Sequence, residues 1–307
     1  MKTVVFAYHN IGIVGLEALA QAGFDIRAIF SHLDDPDENI WFGSVAEWGK
    51  KNQIPVYCPQ NVNTPEWIEK IRKVSPEVIF SFYYRNLLSK DILKIPSTGS
   101  FNLHGSLLPA YRGRCPVNWV LVKGEQRTGV TLHHMLEGPD AGDIVGQKEV
   151  VIDFEDTAYT LYQKLCVKAR ELLEELLPLI KKGMAPRIAQ NLKQGSYYGG
   201  RRPEDGKIDW GWPVVQIFNL VRAVTEPYPG AFTHLPEGET LLIWWALPEK
   251  GSVSKAPVGG LEFEEDNVYV RASDGRLRLL DIEVEKERMK GQKILEFFKG
   301  KEGVMLK

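Results

Sequence analysis

Three polar residues carry the chemistry this sequence could perform: Asn102, His104 and Asp140. Asn102 and His104 are two apart at the end of the apolar run 100–103, so on an extended chain they share a face. Asp140 lies in Gly138-Pro139-Asp140-Ala141-Gly142, a tight loop bracketed by two glycines and a proline. An amide can donate to a developing oxyanion, and an imidazole can carry a proton. A carboxylate beside the imidazole fixes its tautomer. Such a set suits acyl transfer to an amine without a covalent enzyme intermediate. A histidine at a strand end is more often a satisfied polar residue, and it is the partner loop that raises His104 above that reading. Nucleophilic catalysis through Ser106 or Cys115 competes weakly, because neither sits in a nucleophile elbow and no second histidine is placed to serve it.

These residues need strand ends to hold them. Residues 3–8 read as a buried strand, 9–12 as a turn, 13–22 as a helix closed by Gly23, and 24–30 as a second strand. This β-α-β start predicts a doubly wound, Rossmann-like parallel sheet. Gly12-Ile13-Val14-Gly15 is neither a G-x-G-x-x-G fingerprint nor a phosphate loop, so a dinucleotide site is not expected. Further strands are predicted over 54–57, 78–82, 128–135 and 143–151. Helices are predicted over 44–51, 64–74, 116–122 and 157–183. Ligands in open α/β sheets gather at the carboxyl ends of strands, where 83–88 and 102–114 both fall. His133 and His134 straddle one strand, so only one can face a pocket, and neither is assigned. The acidic loop 31–39, with Asp34, Asp35, Asp37 and Glu38, has no regular ligand spacing and reads as solvated.

The chain has 307 residues, enough for two domains, placed at 1–200 and 201–307. After residue 230, short strands alternate with turns, including the hairpin signal Asp274-Gly275, which predicts a small β-barrel-like (OB-like) domain. A net charge of -2 gives no global basic surface, so nucleic acid is not an expected partner. Cys58, Cys115 and Cys166 are odd in number and far apart, which fits neither a disulfide framework nor a structural zinc and favours the cytoplasm. Tyr8-His9-Asn10 interrupts the first apolar run too early for a signal peptide, and no run is long enough to span a bilayer.

The stretch Asn102-x-His104-x-Ser106-Leu107-Leu108-Pro109-x-x-Arg112-Gly113, followed by Gly129-Val130-Thr131 and Asp140-x-Gly142, resembles the 10-formyltetrahydrofolate-dependent formyltransferases. The resemblance covers essentially the whole chain. Within the family, five stretches are most similar to the formyltransferase part of the bifunctional polymyxin-resistance enzymes, which formylates UDP-4-amino-4-deoxy-L-arabinose. They are Phe6-Ala7-Tyr8-His9, Phe80-Ser81-Phe82-Tyr83-Tyr84-Arg85, Arg112-Gly113-Arg114, Asn118-Trp119-Val120-Leu121-Val122 and Gly200-Arg201-Arg202-Pro203. Methionyl-tRNA formyltransferases, the runner-up, share the central motif but do not usually carry Phe-Tyr-Tyr-Arg. Cys115 stands where alanine is common, and Gly105 where some relatives have alanine or proline.

The resemblance implies roles. His104 moves the proton, Asn102 stabilises the tetrahedral transition state, and Asp140 orients His104. It implies 10-formyltetrahydrofolate as co-substrate, with no metal and no nicotinamide. The folate would lie along Asn86, Leu87 and Leu88 on one side and Leu136, Glu137, Gly138, Pro139 and Asp140 on the other, with Arg114 nearby. Arg201 and Arg202 are equally readable as a diphosphate clamp or a solvated pair. Tyr84 or Trp210 could stack on a base or simply pack. The expected partner is a small nucleotide sugar, with no membrane insertion and with self-association left open. A folate- or nucleotide-binding module without catalysis is a third reading, which the intact Asn102, His104 and Asp140 set opposes.

Overall fold

Short runs of Val, Ile and Phe, buried on both faces, form the strands of the first sheet. The computed structural model describes residues 1–35, 39–251, 256–301 and 304–307. Asp37 and Glu38 of the acidic loop lie outside them. In chain order the elements of the first part are β1 (Lys2–Ala7), α1 (His9–Gln21), β2 (Asp25–Phe30), α2 (Val45–Lys51), β3 (Val56–Tyr57), α3 (Pro65–Val74), β4 (Val78–Phe82), α4 (Lys90–Leu93), β5 (Gly99–His104), β6 (Arg112–Gly113), α5 (Pro116–Val122), β7 (Arg127–His134), β8 (Ile144–Val151), α6 (Ala158–Lys181) and β9 (Tyr197–Tyr198). Seven strands make one sheet in the order β3-β2-β1-β4-β5-β7-β8. On one face Val4, Phe6, Ala28, Phe30, Ile79 and Leu88 share an apolar cluster.

The parallel sheet expected from the first elements holds from β3 to β5. It is corrected beyond that, since β7 runs antiparallel to β5 and β8 antiparallel to β7. The change of direction begins in the segment after His104. Its backbone is tied at the carboxyl edge of β5: Arg112 N donates to the Ser196 carbonyl at 3.0 Å and Arg114 N to the Tyr198 carbonyl at 2.9 Å. The chain therefore re-enters the sheet from the edge it left. A second correction concerns residues 9–12, which are not a turn. His9 has φ +66 and completes the change of direction alone, so that α1 begins with it. Gly15 serves the packing of this helix on the sheet: a Cβ there would sit 2.3 Å from the Phe82 ring.

Two compact units result. The first is 1–116, 127–152 and 162–199. The second is 117–126, 153–161 and 200–307. The second holds α7 (Val214–Val224), β10 (Ala231–His234), β11 (Thr240–Lys250), β12 (Leu261–Glu264), β13 (Asn267–Arg271), β14 (Gly275–Val284), β15 (Glu287–Lys290) and α8 (Gln292–Phe298). Its antiparallel sheet has the order β10-β11-β14-β13-β12, with β15 on β14, an OB-like arrangement. Asp274-Gly275 does turn β13 into β14. Of the basic residues near 290, Arg288 and Lys290 both reach the buried Asp281, at 2.7 and 2.9 Å.

Candidate active site

β5 ends with Asn102 and His104 on one face. Its antiparallel neighbour β7 pairs His133 with Asn102 and Thr131 with His104, so all four side chains come to that face. The loop after β7 carries Asp140 back at φ +51. Gln190 holds the loop, its Nε2 donating to the carbonyls of Asp140 at 3.0 Å and Gly142 at 2.5 Å. The Asp140 carboxylate becomes a hub. Its Oδ1 lies 3.3 Å from Asn102 Nδ2, 3.5 Å from His104 Nδ1 and 3.4 Å from His133 Nε2. Its Oδ2 accepts the Gly113 N–H at 2.9 Å. Burial works to raise the Asp140 carboxyl. The adjacent His104 ring outweighs it, with help from His133 and the Gly113 N–H, and holds the group well below the usual carboxylate range.

The hydrogens can be placed from the partners. His104 Nε2 lies 2.8 Å from the Tyr111 carbonyl and therefore carries a hydrogen, leaving Nδ1 to exchange protons on the Asp140 side. His133 Nδ1 lies 2.8 Å from the His134 carbonyl and so also carries a hydrogen. A carboxylate oxygen beside Asn102 requires its NH₂ group, not its carbonyl, to face Asp140.

Residues 105–114 are braced from below. Thr131 Oγ1 donates to the Ser106 carbonyl at 2.6 Å and accepts from Leu108 N and Gln147 Nε2. Ser106 is fully buried, and its hydroxyl donates to the Ala110 carbonyl at 2.7 Å. It has no place as a nucleophile.

The two segments that the resemblance names as folate walls are linked at one point. Lys90 Nζ pairs with Glu137 Oε1 at 3.2 Å, linking the 86–90 segment to the Asp140 loop. Arg114 Nη2 reaches the Arg85 carbonyl at 3.5 Å. Asn63 brackets the first wall, donating to the Leu87 carbonyl and accepting from Ser89 N. Leu87 and Leu136, one on each wall, leave 62% and 58% of their surface uncovered.

Not every expected residue joins this set. Tyr84 stacks on His32 at 4.3 Å and meets Phe6 edge-on at 5.2 Å, and burial pushes its phenol up to about 12. Arg201 and Arg202 belong to the second unit. There the Arg201 guanidinium lies over Trp119 at 4.7 Å and donates to the Asp205 carbonyl. Trp210 is buried, its Nε1 donating to Thr233. Sequence reasoning left His133 unassigned. His134, on the other face, packs on Phe101 and reaches the Pro186 carbonyl instead. Among the described residues no cluster of His, Cys, Asp and Glu is arranged to hold a metal ion, and no helix is long and apolar enough to cross a membrane.

A βαβ sheet with an amide, an imidazole and a carboxylate at its carboxyl edge, followed by an OB-like sheet, defines a one-carbon transferase of the formyl-transfer class. The formyl transferase family model matches residues 9–177, and the formyl transferase C-terminal domain model matches 201–302. The chain belongs to the formyl transferase family, whose activity depends on 10-formyltetrahydrofolate. Solved structures share the fold. The N-formyltransferase from Helicobacter canadensis, in complex with folinic acid and dTDP-3-aminofucose, is 22% identical with a TM-score of 0.71, covering 91% of this chain and 98% of its own. The sugar 3N-formyltransferase WlaRD, solved with dTDP and 5-N-formyl-THF, is 19% identical with a TM-score of 0.71, covering 94% and 98%. HypX from Aquifex aeolicus in complex with tetrahydrofolic acid is 19% identical with a TM-score of 0.59. It covers 98% of this chain, which spans about half (48%) of that protein.

Proposed function

We propose that this chain transfers the formyl group of 10-formyltetrahydrofolate to the amine of a nucleotide-linked aminosugar, with UDP-4-amino-4-deoxy-L-arabinose as the first candidate. The observation that carries the reading is the gathering of Asn102, His104 and Asp140 within 3.3–3.5 Å around one carboxylate oxygen. Sugar N-formyltransferases among the structural relatives support a sugar acceptor. The Phe-Tyr-Tyr-Arg run and its companion stretches support the arabinose form.

When bound, the folate supplies a formyl carbon open to attack by an amine. Leu87 and Leu136 offer the apolar walls that would hold its ring system, with Arg114 at the edge. Asn102 donates an N–H to the oxygen that gains charge as the amine adds. The amine must attack neutral, so its proton has to leave. His104 Nδ1 accepts it, and Asp140 stabilises the resulting imidazolium at 3.5 Å. His104 then gives that proton to the departing nitrogen. Its Nε2 stays fixed on the Tyr111 carbonyl throughout, which keeps the ring from turning.

The test is to incubate the chain with 10-formyltetrahydrofolate and either UDP-4-amino-4-deoxy-L-arabinose, a dTDP-aminosugar or methionyl-tRNA, and to follow formylation by mass spectrometry. A formylated UDP sugar with unmodified tRNA supports the reading. Formylated methionyl-tRNA with inert sugars overturns the acceptor while leaving the roles of the three residues intact.

A further inference from the structure

The strand pairing that builds the site brings in a fourth residue. His133 stands directly opposite Asn102 across β5 and β7. It is 2% exposed, with its ring buried against Asn102 and Asp140. Its Nδ1 is committed to the His134 carbonyl at 2.8 Å, so that in the neutral ring Nε2 carries the lone pair. The nearest group to that lone pair is Asn102 Nδ2 at 3.1 Å, closer than the Asp140 oxygen at 3.4 Å.

We propose that His133 is a positioning residue for formyl transfer: its Nε2 accepts one amide hydrogen of Asn102 and thereby fixes which end of that amide faces the reacting group. The proposal rests on the formyl-transfer reading above. Its logic is geometric. A terminal amide turns about a soft, roughly two-fold torsion, and its two ends differ in sign. Presented correctly, Asn102 donates; presented backwards, it sets a carbonyl oxygen against the oxygen it should stabilise. Asp140 alone fixes the amide weakly, because that contact is long at 3.3 Å and the carboxylate also serves His104. With one hydrogen held by His133, the second is free to move from Asp140 to the charged oxygen without the amide turning over.

The experiment compares wild type with His133→Leu, His133→Gln, Asn102→Ala and the Asn102→Ala/His133→Leu pair, together with nitrogen NMR of the His133 ring in the wild-type chain. His133→Leu should lower kcat by about 10- to 100-fold, the scale of a misplaced catalytic group, with KM for sugar and folate unchanged within about twofold. The pair should be no slower than Asn102→Ala alone, because the two act as one unit. His133→Gln, whose Oε1 can accept the same hydrogen, should recover part of the rate. The NMR should show a neutral ring with its hydrogen on Nδ1. Additive losses in the pair, an unchanged kcat in His133→Leu, or a hydrogen on Nε2 would overturn the proposal. A merely structural role would lower Tm and give additive losses. If wild type formylates none of the amines, the formyl-transfer reading is what fails. The ring tautomer then still decides the His133–Asn102 bond, as it does if His133→Leu does not fold.

Discussion

The backbone N–H of Gly113 donates to Asp140 Oδ2 at 2.9 Å, joining two loops 27 residues apart in the chain. Gly113 has φ +96, and a Cβ there would lie 2.2 Å from the Tyr198 carbonyl oxygen. The glycine is therefore required twice, by its own conformation and by the strand β9 against it. Gly113→Ala should cost about 1–3 kcal/mol of stability from backbone strain and shift the Asp140 carboxylate. Urea unfolding checks the first. The second should appear as a kcat loss larger than the change in KM.

Asp140→Asn keeps the shape of the hub and removes its charge. The imidazolium formed on His104 then loses its counter-charge, so kcat should fall by about 10²- to 10⁴-fold, the range of a lost acid–base contribution. Folate binding, measured by fluorescence titration, should change far less, because the proposed folate walls, Leu87 and Leu136, are untouched.

Ser106→Ala separates transfer through a general base from covalent catalysis. The hydroxyl is buried and bonded to Ala110, so its loss should cost about 1 kcal/mol of stability and leave kcat within a few-fold of wild type. A formyl-serine enzyme would instead lose nearly all turnover. Single-turnover mass spectrometry of the chain checks for that adduct directly.

Leu136→Asp places a charge on an apolar wall of the proposed folate groove. KM for the folate should rise by at least about tenfold, with a smaller effect on kcat, since the wall contributes binding rather than proton transfer. Initial-rate kinetics against folate concentration measures it. Equal KM values for the two chains would remove Leu136 from the groove.

Stability should fall on acidification. His9 is buried against Phe42, and its Nδ1 lies 2.6 Å from the Tyr162 hydroxyl, whose oxygen accepts from Ile11 N. Burial, with Arg85 nearby, lowers its pKa to about 3, and the same causes lower His32 to about 4. In the unfolded chain both take up protons near the ordinary value of 6.5, so below that pH the unfolded state binds more protons and gains. His9 alone contributes a slope of about 1.4 kcal/mol per pH unit through the window from 6.5 down to about 3. Asp140, whose folded pKa is depressed, adds a loss with the same sign at still lower pH. Urea midpoints at pH 7.5 and 5.0 should differ accordingly, with the higher value at pH 7.5.

The shared strand face of Asn102 and His104 and the tight loop of Asp140 were legible because local rules suffice for them. Alternation puts residues two apart on one face, and glycines around an aspartate force a tight loop wherever they occur. Parallel β1 and β2, the short helix α2 and the hairpin at Asp274-Gly275 follow from the same short-range chemistry. What tertiary structure alone decided was pairing. Alternation showed that only one of His133 and His134 can face a pocket, but the choice belongs to the register of β7 on β5, and shifting that register by one residue would exchange them. The antiparallel direction of β7 was hidden for a related reason. It is set by which end of β7 meets which end of β5, Thr131 opposite His104 and His134 opposite Phe101, which no local pattern encodes. The types and spacing of its residues thus determined which groups this protein has for chemistry. Long-range strand pairing decided which of them meet, because contact across a sheet is a property of two segments and is written in neither alone.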